Sequence, residues 1–201
     1  GFRLRVRTSE LQGKVLGLIG AGKIGRRVAT ILQNGFGMEV IAYDPFLSAA
    51  DMCKEGLSIK KIDTIDEILA NADVVSLHAP GSADNSKLIG QKQLQMMKKT
   101  AFLLNSGRGV LVDEAALYDA LKNGVIAGAG VDVFDPEPPQ KGNPLFELPN
   151  FVSTPHMAAH SEEALIGMAS AAARGILEAL RGEKPTFLAN PEVWERRKVI
   201  K

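Results

Sequence analysis

The stretch Lys14-Val-Leu-Gly-Leu-Ile-Gly-Ala-Gly-Lys-Ile-Gly25 decides the fold of this chain of 201 residues. Its first half, Lys14 to Ile19, is short, apolar and β-branched, which is typical of a buried strand. A G-x-G-x-x-G pattern follows, and apolar residues then recur at helical spacing, at Ile24, Val28, Ile31 and Leu32. We expect this helix to end at Gly35, since glycine readily adopts the left-handed conformation that closes helices. The stretch therefore predicts a strand, a tight glycine turn and an amphipathic helix.

The rest of the chain repeats the alternation of apolar runs with helical patterns. The further strand-like runs are Met38 to Tyr43, Asp73 to Leu77, Ala101 to Leu104 and Val125 to Val133. Helices are predicted between them, one capped by Thr64 and one by Asp113. Nearly continuous apolar strands joined by helices favour right-handed crossovers and a parallel sheet covered on both faces. The predicted fold class is therefore α/β, with a doubly wound parallel sheet.

The last third of the chain departs from this alternation. Phe134 to Pro149 holds five of the ten prolines and is predicted to be an ordered loop that crosses the top of the sheet. Ser161 is expected to cap a long helix that ends at Gly182. We therefore divide the chain into a linker at 1–12, a cofactor domain at 13–160, and a C-terminal helix and tail at 161–201.

Composition and charge exclude several classes of function. The 24 Lys and Arg residues balance 23 Asp and Glu residues, so the net charge is +1 and no sustained basic face is available for nucleic acid or a membrane surface. No apolar run approaches the ~20 residues that a membrane-spanning helix needs. Cys53 is the only cysteine, which excludes an internal disulfide and favours a reducing, cytoplasmic location.

The glycine loop is the first candidate binding site. Gly20 is suited to the tight turn, Gly22 lets the backbone approach a pyrophosphate, and Gly25 lets the helix pack on the strand. The next predicted strand ends at Asp44, 19 residues beyond Gly25. This carboxylate would accept hydrogen bonds from a ribose and repel a 2′-phosphate, so NAD is favoured over NADP.

Polar residues interrupt the apolar pattern at three further predicted strand ends, where doubly wound sheets bind ligands. Arg108 lies between two glycines and offers a planar fork for a carboxylate, which makes it a candidate substrate clamp. His156 follows Ser153-Thr-Pro and can give or take a proton near neutrality. Glu137, in the proline-rich loop, is a candidate partner for that imidazole. Taken singly, each is equally a surface arginine, a loop glutamate or a histidine satisfied in the core.

Together these motifs resemble the NAD-dependent D-isomer-specific 2-hydroxyacid dehydrogenases. The resemblance rests on Leu11 to Gly20, Val75-Ser-Leu-His-Ala-Pro80, Asn105-Ser-Gly-Arg-Gly109, Gly130-Val-Asp-Val-Phe134 with Glu137-Pro138, and Thr154-Pro-His156. It implies a Rossmann-type NAD-binding domain and a catalytic trio of Arg108, Glu137 and His156. It also implies cofactor contacts, at Gly20, Gly22, Lys23, Ile24, Gly25, Asp44, His78, Ala79, Pro80, Ser106, Gly107, Asp132, Ala158 and Ala159. Two positions depart from the family, with Thr100 replacing a common glycine and Asn85 a common threonine.

The resemblance also implies an activity and a partner. Family members transfer a hydride between NAD(H) and C2 of a small 2-hydroxy or 2-keto acid, and they favour a homodimer through the cofactor domains. They usually begin with a substrate domain, of which residues 1–10 are too short to be more than a remnant. We therefore expect this chain to lack that domain, and residues 161–201 to return to it.

Other functions stay open at this point. A non-catalytic, NAD-responsive binding module is one alternative, because the C-terminal-binding-protein corepressors resemble these enzymes and keep the same trio. An inactive cofactor-domain fragment is another. Zinc at His156 and His160 lacks further ligands at a known spacing, so no metal is predicted. Cys53 has no histidine near it in sequence and is expected to be a small buried or surface thiol rather than a nucleophile.

Overall fold

A computed structural model describes residues 8–196 and divides the chain into two compact units between His156 and Met157. Residues 1–7 of the predicted linker and 197–201 of the predicted tail lie outside the described residues. The first unit is built on seven parallel strands, in the order β3-β2-β1-β4-β5-β6-β7. Their bounds are β1 Val15–Ile19, β2 Glu39–Tyr43, β3 Ile59–Lys61, β4 Val74–Leu77, β5 Phe102–Asn105, β6 Gly128–Val131 and β7 Phe151–Ser153. The predicted doubly wound sheet is confirmed.

Helices connect these strands. They are α1 Lys23–Phe36, α2 Ala49–Met52, α3 Ile65–Asn71, α4 Gln91–Met96 and α5 Glu114–Lys122. The Thr64 side chain accepts a hydrogen bond from the Glu67 N–H, and the Asp113 side chain accepts from Ala115 and Ala116. Both predicted caps are therefore confirmed.

Two element ends differ from the predictions. Helix α1 ends at Phe36 and is capped by Gly37, which has φ of 66° and an N–H bonded to the Leu32 and Gln33 carbonyls, so the predicted stop at Gly35 was wrong. Both positions are glycines, and the start of β2 fixes which of them takes the left-handed conformation. Strand β6 is also shorter than the predicted run Val125 to Val133, because only Gly128–Val131 pair with neighbouring strands.

The core lies on both faces of the sheet. On one face, α1 covers Leu16, Leu18 and Val40; on the other, the helices that follow β3 cover residues such as Val75 and Leu103. Crossovers that leave β1 in opposite directions lie on opposite faces when all are right-handed. Among the described residues of the first unit, the helices on the α1 face do not cover its whole width. Its exposed side chains are Phe102, Leu104 and Val152, at 46%, 39% and 69%.

The second unit contains helix α6, Glu162–Leu180, with Ser161 as its N-cap as predicted. All residues of α6 are described and none is buried; its exposed apolar side chains are Leu165, Ile166, Met168, Ile176, Leu177 and Leu180. Within residues 8–196, no helix combines the length and hydropathy that crossing a membrane requires.

Candidate active site

The glycine loop between β1 and α1 has the shape that a phosphate group needs. Gly20 has φ of 97°, and a Cβ there would lie 2.8 Å from the backbone carbonyl of His78. A Cβ on Gly25 would overlap the carbonyl oxygen of Gly20, whereas one on Gly22 would meet no atom within 4 Å. Two glycines thus close the turn, and the third leaves open space before the N-terminus of α1.

The N-terminus of α1 is itself suited to an anion. Its N-cap, Gly22, has no side chain to bond the N–H groups of the first turn, and that turn contains no acidic residue. Lys23 and Ile24 begin the helix on its exposed side, Ile24 being 68% exposed. Helix N-termini of this kind bind phosphate through free N–H groups and the helix dipole. These residues therefore fit the pyrophosphate of a dinucleotide.

Asp44 follows β2 and is 9% exposed. Its Oδ2 accepts a hydrogen bond from the Ala21 N–H at 2.9 Å, and its Oδ1 accepts from the Phe46 N–H at 2.9 Å. The carboxylate therefore ties the end of β2 to the glycine loop. Each oxygen has a further lone pair, which can accept from a ribose hydroxyl.

His78, Ala79 and Pro80 follow β4 and lie opposite the glycine loop. The His78 ring contacts the Ser76 hydroxyl, with Nε2 3.0 Å from Oγ. Burial lowers the pKa of the His78 imidazole below its ordinary value, so the ring is neutral at physiological pH. Asn85 donates from Nδ2 to the Pro80 carbonyl at 3.0 Å and holds this loop.

Ser106, Gly107 and Arg108 form the turn after β5. The buried side chain of Asn105 shapes this turn, donating to the Arg108 carbonyl at 3.0 Å and accepting from the Gly107 N–H at 3.1 Å. The Arg108 side chain is exposed, and its guanidinium donates to the Gly107 carbonyl at 2.7 Å. The turn is therefore rigid while the guanidinium stays accessible.

Gly109 is a site residue for which the family resemblance gives no role. A Cβ on it would overlap the carbonyl group of Phe134 and lie 2.7 Å from the Asp135 nitrogen. The Arg108 turn therefore packs directly, backbone to backbone, on the start of the loop that carries Glu137. Phe134, which creates this requirement, lies 25 residues further along the chain. The sequence around Gly109 therefore gives no signal beyond the glycine itself.

Glu137 and His156 are in contact, as predicted from the sequence. Oε1 of Glu137 lies 2.7 Å from Nδ1 of His156, and the two side chains are 39% and 48% exposed. His156 has φ of 51°, and its N–H donates to the Asp132 carbonyl at 2.8 Å. Because Glu137 takes Nδ1, the imidazole presents Nε2 to a ligand. Among the described residues, the Arg108 guanidinium bonds neither Glu137 nor His156; it bonds the Gly107 carbonyl of its own turn.

Asp132 follows β6 and is buried, at 6% exposure, and its carboxylate accepts a hydrogen bond from the Thr154 hydroxyl. A cavity of about 340 Å³ lies beside it, at the carboxyl ends of β4 to β7. Its polar lining comprises Ser76, His78, Asn105, Ser106, Asp132, Ser153 and Thr154. Doubly wound sheets bind their ligands in the crevice at this position. The crevice fits the nicotinamide ring of a dinucleotide cofactor.

Two predicted contacts lie in the second unit. Ala158 and Ala159 follow the boundary at Met157 and stay predictions. Among the described residues, no group of three His, Cys, Asp or Glu side chains is arranged to hold a metal ion. The thiol of Cys53 donates to the Ile59 carbonyl at 3.2 Å, away from the residues of this site.

Comparisons with known proteins agree with this geometry. Residues 2–158 match the family described as D-isomer specific 2-hydroxyacid dehydrogenase, NAD binding domain. The chain is 42% identical over 188 residues to a D-3-phosphoglycerate dehydrogenase of Methanocaldococcus jannaschii, covering 94% of this chain and 35% of that protein. It is 42% identical over 184 residues to a glyoxylate reductase of Korarchaeum cryptofilum, covering 92% of this chain and 54% of that protein.

A solved structure gives the same result for the fold. The NAD-complexed D-isomer specific 2-hydroxyacid dehydrogenase of Lactobacillus delbrueckii ssp. bulgaricus superposes with a TM-score of 0.81 at 36% identity, covering 92% of this chain and 58% of that one. The chain thus spans about half the length of this structure and of the glyoxylate reductase, and about a third of the phosphoglycerate enzyme.

Proposed function

The chain belongs to the D-isomer specific 2-hydroxyacid dehydrogenase family through its NAD-binding domain, and from this premise we propose that the protein transfers a hydride between NAD(H) and C2 of a small D-2-hydroxy or 2-keto acid. The observation that carries the proposal is the 2.7 Å contact between Glu137 and His156. A carboxylate-oriented imidazole at the carboxyl end of a parallel sheet is equipped for acid–base chemistry. NAD(H), when held by these residues, would supply or accept the hydride.

Arg108 binds the substrate in this mechanism. Its guanidinium leaves the Gly107 carbonyl and donates to the carboxylate and the C2 oxygen of the keto acid, as a planar fork can do. The Asn105 side chain holds the turn while the guanidinium moves, since it bonds backbone atoms of Gly107 and Arg108.

His156 moves the proton. During reduction, Nε2 gives a proton to the C2 oxygen as that oxygen becomes a hydroxyl, and during oxidation it takes the proton back. Glu137, bonded to Nδ1, fixes the orientation of the ring and favours its protonated form through its negative charge. The exposure of both side chains leaves the ring accessible to substrate.

The cofactor is held by residues of this chain. Gly20, Gly22 and Gly25 with the start of α1 receive the pyrophosphate, and Asp44 receives the adenosine ribose. His78, Ser106 and Asp132 line the cavity at the ends of β4 to β7 and would hold the nicotinamide end of the cofactor, with Ala79, Pro80 and Gly107 in the adjoining turns. The open space at Gly22 and the cavity beside Asp132 support this assignment.

A turnover assay tests the proposed function. The natural full-length protein is mixed with NADH and, in separate reactions, glyoxylate, hydroxypyruvate and phenylpyruvate, and the loss of NADH absorbance is followed. The relatives named glyoxylate reductase and D-3-phosphoglycerate dehydrogenase make small acids the first choice. NADH oxidation with at least one acid supports the proposal, whereas tight NADH binding without turnover of any acid favours the non-catalytic binding module.

Assembly and location complete the proposal. We propose a homodimer through the NAD-binding domains in the cytoplasm. The exposed apolar side chains of Phe102, Leu104 and Val152 support association, because apolar patches on a folded surface favour contact with another protein. The single cysteine supports a reducing compartment. Sedimentation velocity measures the state of assembly.

Replacing Asp44 by alanine is expected to weaken NAD binding about 10- to 100-fold, because bonds to a charged acceptor contribute about 1.5 to 3 kcal/mol each. NADP binding should fall less, since the variant also loses a charge that repels the 2′-phosphate. Calorimetry with both cofactors measures the two affinities. Asp63→Ala is the matched control, because Asp63 is exposed after β3 and bonds no described residue. Equal losses for NAD and NADP would contradict the role given to Asp44.

Replacing Glu137 by glutamine is expected to move the pH profile of keto-acid reduction to lower pH. Glutamine keeps an acceptor for Nδ1 but removes the charge that favours the imidazolium, and reduction needs the protonated ring. As the pH rises, the variant therefore loses its activity at a lower pH than the wild type does. The profile of kcat/KM against pH measures this, with exposed Glu147→Gln as the control. An unmoved profile would show that Glu137 does not act on His156.

A further inference from the structure

The loop that carries Glu137 is long, and packing holds only its ends. Phe134 is buried and packs on Phe146 with ring centroids 5.6 Å apart, and Leu145 is buried near the other end. Between these ends, a cavity of about 410 Å³ separates α5 from the loop; Tyr118 and Asp119 line the helix side. Side-chain packing therefore does not hold the middle of the loop against the helix.

The carboxylate of Glu114, in the first turn of α5, spans this gap. Its Oε1 accepts a hydrogen bond from the Asp135 N–H at 2.9 Å, and its Oε2 accepts from Nδ2 of Asn143 at 2.8 Å. Asp135 and Asn143 lie on either side of Glu137 in the chain. The Glu114 side chain thus links the two ends of the segment 135–143 through two hydrogen bonds. Hydrogen bonds to a charged acceptor are stronger than neutral ones.

Glu114 is itself held in place. Asp113 caps α5 with its side chain and forms an ion pair with Lys87 at 2.9 Å. The Lys87 hydrogen bond lowers the pKa of the Asp113 carboxyl, so the cap stays charged at neutral pH. The loop segment that Glu114 bonds at Asp135 also contacts Gly109, beside Arg108. Glu114 therefore lies where a fixed helix end meets the two loops that carry Arg108 and Glu137.

We propose that Glu114 is a positioning residue for the catalytic pair, because its carboxylate holds the loop in the conformation that keeps Glu137 bonded to His156. The inference rests on the proposed function, in which Glu137 favours the protonated imidazole. Among the described residues, Glu137 is the charged group in contact with that ring. Loss of the two Glu114 hydrogen bonds would free the loop that carries Glu137 and would leave the cofactor site unchanged.

The test compares Glu114→Ala and Glu114→Gln with Asp119→Ala in the natural full-length protein. Asp119 is the matched control, because it lies on the same helix and lines the same cavity, while its carboxylate bonds no described residue. In Glu114→Ala, kcat/KM should fall about 10-fold or more and its pH profile should move to lower pH, as in Glu137→Gln. NADH affinity should stay within 2-fold. Glu114→Gln should lie between the wild type and the alanine variant, since its amide oxygen still accepts from Asp135.

A double variant distinguishes a positioning role of Glu114 from a general loss of structure. In the Glu137→Gln background, Glu114→Ala should lower kcat/KM by less than 3-fold, because the charge that it positions is already absent. Additive losses, or a pH profile that Glu114→Ala does not move, would overturn the proposal. If the alanine variant does not fold, which thermal melting detects, Glu114→Gln carries the same comparison.

A second measurement keeps the proposal independent of turnover. The NMR signals of the His156 ring in this chain, assigned through His156→Ala, should shift in Glu114→Ala, because the Glu137 contact at Nδ1 is lost, and should not shift in Asp119→Ala. If the wild type reduces no keto acid but this shift occurs, the proposed function fails and the positioning role stands. If turnover occurs without the shift, the positioning role fails alone.

Discussion

Replacing His156 by alanine is expected to lower turnover of 2-keto acids by roughly 10²- to 10⁴-fold, the usual contribution of general acid–base catalysis. The imidazole, oriented through Nδ1 by Glu137 at 2.7 Å, is the group that gives the proton to the C2 oxygen. NADH affinity should change little, because the residues assigned to the pyrophosphate and the ribose follow β1 and β2, which β4, β5 and β6 separate from β7. Steady-state kinetics and calorimetry measure the two quantities.

His160→Ala is the matched control for this variant. His160 is a second exposed histidine four residues further along, and its ring bonds no described residue. The control should keep turnover within about 2-fold of the wild type, because it removes the same ring from a position outside the mechanism. Comparable losses in both variants would show that the chemistry does not depend on His156 in particular.

Replacing Gly109 by alanine is expected to abolish most of the activity, by about 10²-fold or more. The added Cβ would overlap the carbonyl group of Phe134, so the Arg108 turn and the Glu137 loop must move apart. A displacement of 1 Å can cost about 10²-fold in rate, and overpacking costs about 1 to 3 kcal/mol in stability. Kinetic assays and thermal melting measure both effects.

Gly90→Ala serves as the control for that prediction. Gly90 has φ of −112°, which alanine adopts without strain, and a Cβ there would meet no atom closer than 3.6 Å. It should therefore melt and turn over like the wild type. Normal turnover by Gly109→Ala would contradict the close packing of the two loops that carry Arg108 and Glu137.

The cofactor loop could be predicted from the sequence because each of its glycines answers a local requirement. The positive φ of Gly20 and the overlap that a Cβ on Gly25 would cause are both created within the strand, turn and helix themselves. The spacing to Asp44 follows from the length of α1 and β2. Such short-range constraints leave a pattern that a single sequence displays.

Element ends were harder to predict because neighbouring structure chooses between equivalent residues. Gly35 and Gly37 both suit a helix stop, and hydrogen bonds at the start of β2 select Gly37. Strand β3, Ile59–Lys61, has three residues, too few to display a period, and it exists because β2 offers it an edge to pair with. Neither choice is encoded locally.

The role of Glu114 could not be predicted from the sequence. Its sequence context, directly after the Asp113 cap, gives only a favourable charge for a helix N-terminus. Its bonds reach Asp135 and Asn143, 21 and 29 residues further along. That role appears only when the proline-rich loop is folded back over α5, and no periodicity predicts where such a loop will return.

Chiral analysis of the product tests whether Arg108, Glu137 and His156 support hydride transfer from NADH to a 2-keto acid. The natural full-length protein is incubated with NADH and phenylpyruvate or hydroxypyruvate, and the hydroxy acid formed is resolved into its isomers. We expect the D-isomer, formed in equal amount to the NADH consumed and nearly absent with His156→Ala. Formation of the L-isomer, or of no hydroxy acid from any of the acids tested, would contradict it.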